Sequence, residues 1–501
     1  MVFEANIFSS FVETFSDFVL IYFLIINGVY LSLVIISFFY LKLFNRQRIA
    51  YESKGLLKSE LYKSVSIVVP AYNEEKTIIE NVRSLMQVEF NDFEVIVSND
   101  GSTDNTLELL IDEYALEESD LFIPESVPSK PIKKVYRSAI HDNLIVIDKE
   151  NGKRADAVNA GINASHKDLI CTIDADSRLE QNVLKKMLRA FIEDDKTIGV
   201  GGIIRVSNGC TFENNTMKQI RLPKKMVSKM QVLEYIRSFL FGRIGWDKLN
   251  SLLIISGAFG VFDREAVLKV GGYDVESVGE DFELTLRLHR YHKENDLDYN
   301  IKFFPEPVCW TEVPSTWNGL ASQRNRWQRG LFETIAKHKK MLFNPRYGSV
   351  GLVGLPFYFL FELLSPIVEF MGYALIVFLM VTSTLNTTFA LLFFIAAVLF
   401  GVVLSLSAVL SDEFTYKQYP RVKDAIQLVF LAIFENLGYR QLHTWWRLRG
   451  IIDFFKGNKE WNSTDSGLWK KVTEIAHWAW LVIINIIIGF LVWFGINGVG
   501  L

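Results

Sequence analysis

Apolar positions are unevenly spread along this chain: they gather in one block near the start, thin out between residues 64 and 345, and return in long runs beyond residue 350. The first block, residues 18–42, is long enough to cross a bilayer as a single helix, which takes roughly 20 apolar residues. Glu4, Glu13 and Asp17 precede it, whereas Lys42, Arg46, Arg48, Lys54, Lys58 and Lys63 follow it. The positive-inside rule then predicts residues 1–17 outside the cytoplasm and a cytoplasmic linker over 43–63. A cleavable signal peptide needs a basic start and a small-residue cleavage site, and neither is evident, so the segment reads as an uncleaved anchor. Beyond residue 345, apolar spans at 350–381 and 388–410, separated by the neutral "TSTLNTT", predict a helical hairpin, and 475–493 predicts a further crossing. Between them "SDEFTYKQYPRVKD" is expected back in the cytoplasm. The run "AIQLVFLAIFENLGYRQLHTWWRLRG" reads two ways. Glu435 and Asn436 could line a polar path, since polar groups at membrane depth face a cavity or a partner, or they could mark a helix ending at the interface. Residues 346–501 are thus expected to hold about three or four membrane segments.

From 64 to 345 strand-like and helix-like runs alternate, the pattern of an α/β domain. "SVSIVVPAYNE", "FEVIVSNDGSTDNT", "NLIVIDKENGKRADAVNAG" and "DLICTIDADSR" are each an apolar strand ending in a polar cluster. In open α/β sheets ligands bind beyond the carboxyl ends of the strands, so these clusters should converge on one crevice. Residues 112–138, with Pro124, Pro128 and Pro131, break the rhythm and read as a surface insertion. "VLEYIRSFLFGRIGWDKLNSLL" and "LFETIAKHKKMLF" mix large apolar with basic residues at helical spacing, as helices lying on a membrane do, with core helices as the alternative.

Composition removes several function classes. A hydrophobic share of 50% and an aromatic share of 14% fit a membrane-associated chain, and a net charge of −4 leaves no electrostatic footprint for nucleic acid. The cysteines, Cys171, Cys210 and Cys309, have neither the number nor the spacing of a disulfide framework or zinc site; Cys171 and Cys309 read as core. There is no G-x-x-x-x-G-K-[ST] loop, no H-E-x-x-H and no G-x-S-x-G. His289, His292, His338 and His443 read as surface or interface residues.

The chemistry-bearing residues lie at the strand ends. "TIDADSR" sets Asp174 and Asp176 two apart just past a buried strand, where two hard oxygen ligands can aim at one Mg²⁺ or Mn²⁺ ion. A bare D-x-D is common and reads equally as a solvated turn, so its weight comes from Asp100 in "SNDGST", Lys153 in "NGKRADA", Asp281 in "GED" and the cluster "QRNRWQRG". That cluster could simply anchor a helix at the headgroups, or its Arg324 and Arg326 could present planar forks of donors to a diphosphate.

Taken in order, "PAYNEE", "NDGSTDNT", "GKRADAVNAG", "DADS", "GED" and "QRNRW" resemble the membrane-bound members of glycosyltransferase family 2 over about residues 64–345. The Q-x-x-R-W is similar to that of the processive β-glycan synthases making cellulose, chitin, hyaluronan or poly-N-acetylglucosamine. "SGAFG", "WTEVPSTW" and "FENLGYRQL" look closest to the poly-N-acetylglucosamine branch. The resemblance implies an α/β catalytic domain of GT-A type, nucleotide-sugar-binding with a mixed, mostly parallel sheet, joined to α-helical transmembrane segments in a bacterial cell membrane, with the catalytic domain cytoplasmic. It also implies a UDP-sugar donor, UDP-N-acetylglucosamine before UDP-glucose, and inverting transfer to the non-reducing end of a β-linked polysaccharide coupled to export. A membrane-lipid acceptor is the alternative, and an inactive transporter or scaffold the alternative of another class. Membrane lipids and accessory export proteins are the remaining expected partners.

The same resemblance supplies roles. Tyr72, Asn73, Glu74 and Asp100 would hold uridine, Lys153 would approach the diphosphate, and Asp176 with Asp174 would hold Mg²⁺ or Mn²⁺, Asp174 also lying near the ribose or sugar. Asp281 would be the general base, with Glu280 less favoured, although an E-D pair also suits a helix start. Gln323, Arg324 and Arg326 would clamp the diphosphate, and Trp327 would offer a face to an acceptor sugar. The chain departs from the family pattern at Asn99, where paired aspartates are usual, and "NKEWNSTDSG" only loosely matches the family's Trp-containing segment.

Overall fold

The computed structural model describes residues 2–53, 63–213 and 216–457. The chain divides into two compact units, one formed by Phe39–Val313 with Glu333–Pro356, the other by Met1–Phe38, Pro314–Phe332 and Phe357–Leu501.

The first unit is built on a ten-stranded sheet. Its strands are β1 (Val65–Ala71), β2 (Phe93–Asn99), β3 (Leu116–Glu118), β4 (Ile132–Ser138), β5 (Leu144–Lys149), β6 (Leu169–Ile173), β7 (Arg178–Leu179) and β8 (Thr197–Val206). A separate two-stranded ribbon, β9 (Thr211–Glu213) and β10 (Thr216–Gln219), precedes β11 (Phe259–Asp263) and β12 (Asn300–Thr311). The order across the sheet is β3-β4-β5-β2-β1-β6-β11-β8-β12-β7. Strands β4, β7 and β11 run against the rest. The sheet is therefore mixed, with most strands sharing one direction, as expected of the GT-A type.

Register explains why the polar clusters meet. Ala71 pairs with Asn99, Asn99 with Asp148, and Val68 with Thr172, so β1, β2, β5 and β6 end at nearly the same level. The loops carrying Tyr72, Asp100, Lys153 and Asp174 then leave one edge together, the geometry in which parallel strands make binding crevices. These strands are buried along nearly their whole length, as strands covered on both faces are. The helix Lys153–Ala164 covers them closely: a Cβ built at Gly161 would stand 2.3 Å from Val68 Cγ1. Gly161→Val should therefore cost about 1–3 kcal/mol through overpacking, read as a lowered thermal inactivation temperature of the detergent-solubilised protein.

Residues 112–138, expected as a surface insertion, instead contribute β3 and β4 to the sheet edge. The irregular stretch between those strands is tied down by Asn163, whose Oδ1 accepts from the Ser126 and Val127 amides at 3.0 and 2.9 Å. The stretch beginning "VLEYIRSF" takes the core-helix alternative: helical residues 226–248 pack on β8 and β12 with Leu233, Leu240 and Ile244 fully buried. In the second stretch Ile335, His338 and Met341 are buried, while Phe343 stays exposed.

Among the described residues three helices are long and apolar enough to cross a membrane, Ser10–Arg46, Val350–Val381 and Thr387–Tyr416, with mean hydropathies of 2.5, 2.0 and 2.9. The first exceeds the span read from sequence because it belongs to a continuous helix, Val2–Ser53. Within the second unit, the helix Val422–Phe434 runs into a break at Leu437 and Gly438 before Arg440–Phe455 begins. Gly438 adopts φ 104°, a region glycine enters without a Cβ penalty. Glu435 and Asn436 are buried at this break, where Ser405 donates to Glu435. Nearby Glu369 accepts from Ser365 at 2.8 Å and Thr444 at 2.6 Å and faces Arg440 at 3.4 Å. The expected crossing at 475–493 and "NKEWNSTDSG" lie outside the described residues.

Candidate active site

Loop by loop, the sheet edge assembles one connected set of charges in the first unit. After β2, Asp100 is only 2% exposed, and its carboxylate organises the loop after β5. Oδ1 accepts from Lys149 Nζ at 2.7 Å and from the Gly152 amide at 2.9 Å; Oδ2 accepts from the Lys153 amide at 2.8 Å. Lys149, which the sequence did not single out, is fully buried between Asp100 and Asp156. Lys153 is exposed with φ 73°, a left-handed conformation unusual for a residue with a side chain, pinned by that bond from its amide. Asp100 therefore faces the loop it shapes. Asn99 has a physical reason to be an amide: its Nδ2 donates to Asp148 Oδ1 at 2.8 Å, where an aspartate would oppose a carboxylate.

After β1, Tyr72 is half exposed and Asn73 takes φ 57°. Asn73 Oδ1 accepts from the Thr103 amide at 2.8 Å, and its own amide donates to Ser102 Oγ at 3.0 Å, locking the loops after β1 and β2 together. Burial raises the Glu74 carboxyl above its usual range; Thr77, donating at 2.7 Å, works against this, and the negative charge of Asp174 adds to it.

Beyond β6, Asp174 and Asp176 diverge. Asp174 Oδ1 accepts from Arg154 Nε at 2.7 Å. Asp176 Oδ1 accepts from Ser177 and Thr311 hydroxyls, both at 3.2 Å. Burial first, then the charges of Asp174 and Glu74, push the Asp176 carboxyl up to about 7. Among the described residues no group of three or more His, Cys, Asp or Glu side chains is gathered to hold a metal ion. The residues present fit a hard cation bound by one or two carboxylates, its other ligands coming from phosphate and water.

The raised carboxyl has a consequence for stability. Between about pH 4 and pH 7 the native state keeps a proton on Asp176 that the unfolded chain has released, so metal-free stability should fall as pH rises through that window. Asp176→Asn should flatten this slope, raise the melting temperature of the chelator-treated protein near pH 7.5, and remove stabilisation by added Mn²⁺. Thermal unfolding across pH with and without Mn²⁺ reads all three.

Asp281 starts the helix Glu280–Glu294. Its Oδ2 accepts from the Gly257 amide at 3.0 Å and its Oδ1 from the Phe282 amide at 2.8 Å. Arg154 then closes the circuit. Besides Asp174, it donates to Glu280 Oε1 at 3.0 Å and to the Gly257 carbonyl. Burial alone would lower its pKa, but Asp174 and Glu280 together hold it above the usual value. A Cβ at Gly257 would meet the guanidinium at 3.2 Å, so a larger residue there would displace it. Sequence reading passed over Arg154 because a lone arginine following a lysine in "GKRAD" carries no signal of the partners it meets more than a hundred residues away.

The helix Glu280–Glu294 is anchored by Glu283, which receives Arg287 at 2.7 Å, Lys337 at 2.9 Å and His338 at 3.2 Å. Burial would raise its carboxyl, but these partners hold it down at about 2. His338 is thus an interior residue, as are His289 and His292, and the surface reading of these three fails. His289 bonds Tyr299 and the Leu252 carbonyl, both at 2.8 Å, and burial lowers its pKa to about 4. Cys171 and Cys309 are core residues as expected.

Gln323, Arg324, Arg326 and Trp327 lie on the helix Trp317–Lys337, in the part belonging to the second unit. Arg324 is buried with its guanidinium carbon 4.2 Å from the centroid of the Trp327 ring, which is 44% exposed. Other residues of the motif face inward: Asn325 donates to Asp453 at 2.7 Å, and Gln328 accepts from Arg447 at 2.9 Å.

The sheet and its acidic strand ends form one cluster of charges, and the known proteins this chain resembles are glycosyltransferases. The family models described as "Glycosyl transferase family 2" and "Glycosyl transferase family group 2" match residues 66–123 and 169–404. The chain thus carries glycosyltransferase family 2 domains over these two stretches. It is similar to the poly-beta-1,6-N-acetyl-D-glucosamine synthases of Staphylococcus aureus strain COL, 27% identical over 319 residues, and Staphylococcus epidermidis strain ATCC 35984, 28% over 284 residues. These alignments take in 63% and 56% of this chain and span 66% and 58% of the relatives' lengths. A solved mannosyltransferase of Pyrobaculum calidifontis, in complex with GDP-Man and Mn²⁺, aligns over 84% of this chain and 99% of its own, with a TM-score of 0.47 and 16% identity.

Proposed function

We propose that the protein transfers a hexose from a UDP-sugar, N-acetylglucosamine before glucose, to the non-reducing end of a growing β-linked polysaccharide. Transfer takes place on the cytoplasmic side of a bacterial membrane, and the product is passed outward through the chain's own helices. The observation that carries this reading is the Arg154 bridge: one side chain joins Asp174 to Glu280 and to the Gly257 carbonyl, while the Gly257 amide holds Asp281. This shared guanidinium supports reading the two acidic motifs as parts of one site. Relatedness to the staphylococcal synthases supports the polymer and the favoured sugar.

In this reading Asp281 takes the proton of the acceptor hydroxyl as its oxygen bonds to the anomeric carbon, and the bond from that carbon to the diphosphate breaks on the opposite face, inverting the centre. The Gly257 and Phe282 amides leave each Asp281 oxygen a further lone pair for that hydroxyl. Mg²⁺ or Mn²⁺, held by Asp176 with Asp174, would neutralise charge on the departing diphosphate. Lys153 adds a mobile positive charge, and the loop that Asn73 locks, with Tyr72, Glu74 and the turn shaped by Asp100, borders the uridine. Gln323, Arg324 and Arg326 contact the diphosphate, and Trp327 stacks on the acceptor sugar.

The test is UDP release by the full-length, detergent-solubilised protein with Mg²⁺ or Mn²⁺ against a panel of UDP-sugars, with the product sized. A long polymer from one donor is expected. A short lipid-linked product would replace the polysaccharide acceptor, and absence of UDP release with every donor would overturn the catalytic reading.

A further inference from the structure

A fully buried lysine stands beneath the loop after β5. Lys149 closes that strand, and its ammonium lies 2.7 Å from Asp100 Oδ1, 2.5 Å from Asp156 Oδ1 and 2.6 Å from the Glu150 carbonyl oxygen. An ammonium carries three donors, and three oxygens meet this one. They come from the loop after β2, from the loop after β5 and from the first turn of the helix Lys153–Ala164. Burying an ammonium is costly unless its charge is paired and its donors are satisfied. Both conditions are met here, and what the cluster fixes is the path of the turn above it.

That turn leaves its residues little freedom. Gly152 has no room for a side chain, since a Cβ there would stand 2.3 Å from Asp156 Cγ, the carboxylate that Lys149 holds. Asp156 cannot swing away, because its Oδ1 and Oδ2 also accept from the Lys130 amide at 3.1 and 3.0 Å. Lys153 follows at φ 73°, its amide on Asp100 Oδ2 and the Gly152 amide on Oδ1. Two consecutive side chains then part: Lys153 is exposed, whereas Arg154 turns inward to Asp174, Glu280 and the Gly257 carbonyl. Arg154 is held by those acceptors in its own right. The Lys153 side chain has no such anchor among the described residues, so the turn alone sets its direction.

We propose that Lys149 is a positioning residue: by drawing Asp100 and Asp156 together beneath the turn, its ammonium holds the backbone at Gly152 and Lys153 in the conformation that aims the Lys153 side chain at the donor diphosphate. This rests on the assignment of Lys153 to the diphosphate. Lys149 itself never touches substrate. A left-handed conformation at a residue with a side chain persists only where its surroundings over-determine it, and Lys149 supplies that surplus through Asp100.

The test uses the full-length protein in detergent with Mn²⁺. Lys149→Met alone leaves two buried carboxylates without their cation, so it is combined with Asp156→Asn, which keeps the cluster's net charge unchanged: one positive and two negative charges become one negative charge. Asp156→Asn alone, which leaves the ammonium on Asp100, is the reference, and thermal unfolding confirms that both variants fold. Hydrogen exchange of the amides of residues 150–154 reads the turn, and titration calorimetry with UDP reads the diphosphate. Relative to the reference, the double variant should exchange the Gly152 and Lys153 amides about tenfold faster and bind UDP about tenfold more weakly. Lys153→Met should weaken UDP binding about tenfold in the reference background but less than about twofold in the double variant, because a side chain no longer aimed has little left to lose. Additive losses, about a hundredfold together, would make the Lys149 effect a separate structural one and overturn the proposal. Unchanged exchange with unchanged UDP affinity in the folded double variant would overturn it too. Faster exchange, with a UDP affinity that Lys153→Met alters in neither background, would uphold the hold on the turn and count instead against the assignment of Lys153 to the diphosphate.

Discussion

Asp281→Asn should reduce UDP release in the presence of acceptor by about 10²- to 10⁴-fold, the range a positioned general base contributes, while leaving donor affinity within a few-fold of wild type. The amide keeps an oxygen to accept from the Gly257 or Phe282 amide, so the start of the helix Glu280–Glu294 should survive the change. What disappears is the ability to take a proton. Initial rates and donor titration on the same preparation read both quantities. Loss of donor binding equal to the loss of rate would mean that Asp281 is a binding residue. If Glu280→Gln rather than Asp281→Asn removed the proton-transfer limb of the pH–rate profile, the base would be the neighbouring carboxylate.

Arg154→Met should be the most damaging single change outside the acidic residues. The guanidinium is largely buried and meets Asp174, Glu280 and the Gly257 carbonyl, and Glu280 is itself 7% exposed. Removing the cation leaves the buried Glu280 carboxylate without its partner, and breaking such a buried pair costs about 3–5 kcal/mol. Gly257 also loses its restraint, which should shift the amide that orients Asp281. The double variant Arg154→Met with Glu280→Gln separates the two effects: thermal stability should recover in part, because the uncompensated charge is gone, while UDP release should not. Arg154→Lys should lie between, since a single ammonium cannot reproduce the planar fork that meets three acceptors. Full recovery of activity in the double variant would show that Arg154 only balances charge.

The sequence's view of the fold was sharpest where periodicity repeats. Each of β1, β2, β5 and β6 was legible as an apolar run ending in a polar cluster, and two of the three helices able to cross a membrane were legible to within a few residues. The edge strands β3 and β4 were not, because Pro124, Pro128 and Pro131 dominate the local signal there. Pairing of β4 with β5, and of β3 with β4, supplies the hydrogen bonds that propensity does not. The amphipathic stretch beginning "VLEYIRSF" suited a bilayer surface and a protein core equally by composition; only packing on β8 and β12 decided between them. His289, His292 and His338 misled for the same reason, since nothing local to a histidine reports the Tyr299 hydroxyl or Glu283 carboxylate that makes burial tolerable.

By itself, then, the sequence determined the family, the α/β alternation, the apolar helices and the residue types at each strand end, because these depend on local order and spacing. The tertiary structure alone decided which charges meet. Asp100 turns inward to Lys149, and Arg154 joins motifs more than a hundred residues apart. Hydrogen bonds act over about 3 Å, and which groups come that close is set by strand register and helix packing across the whole domain.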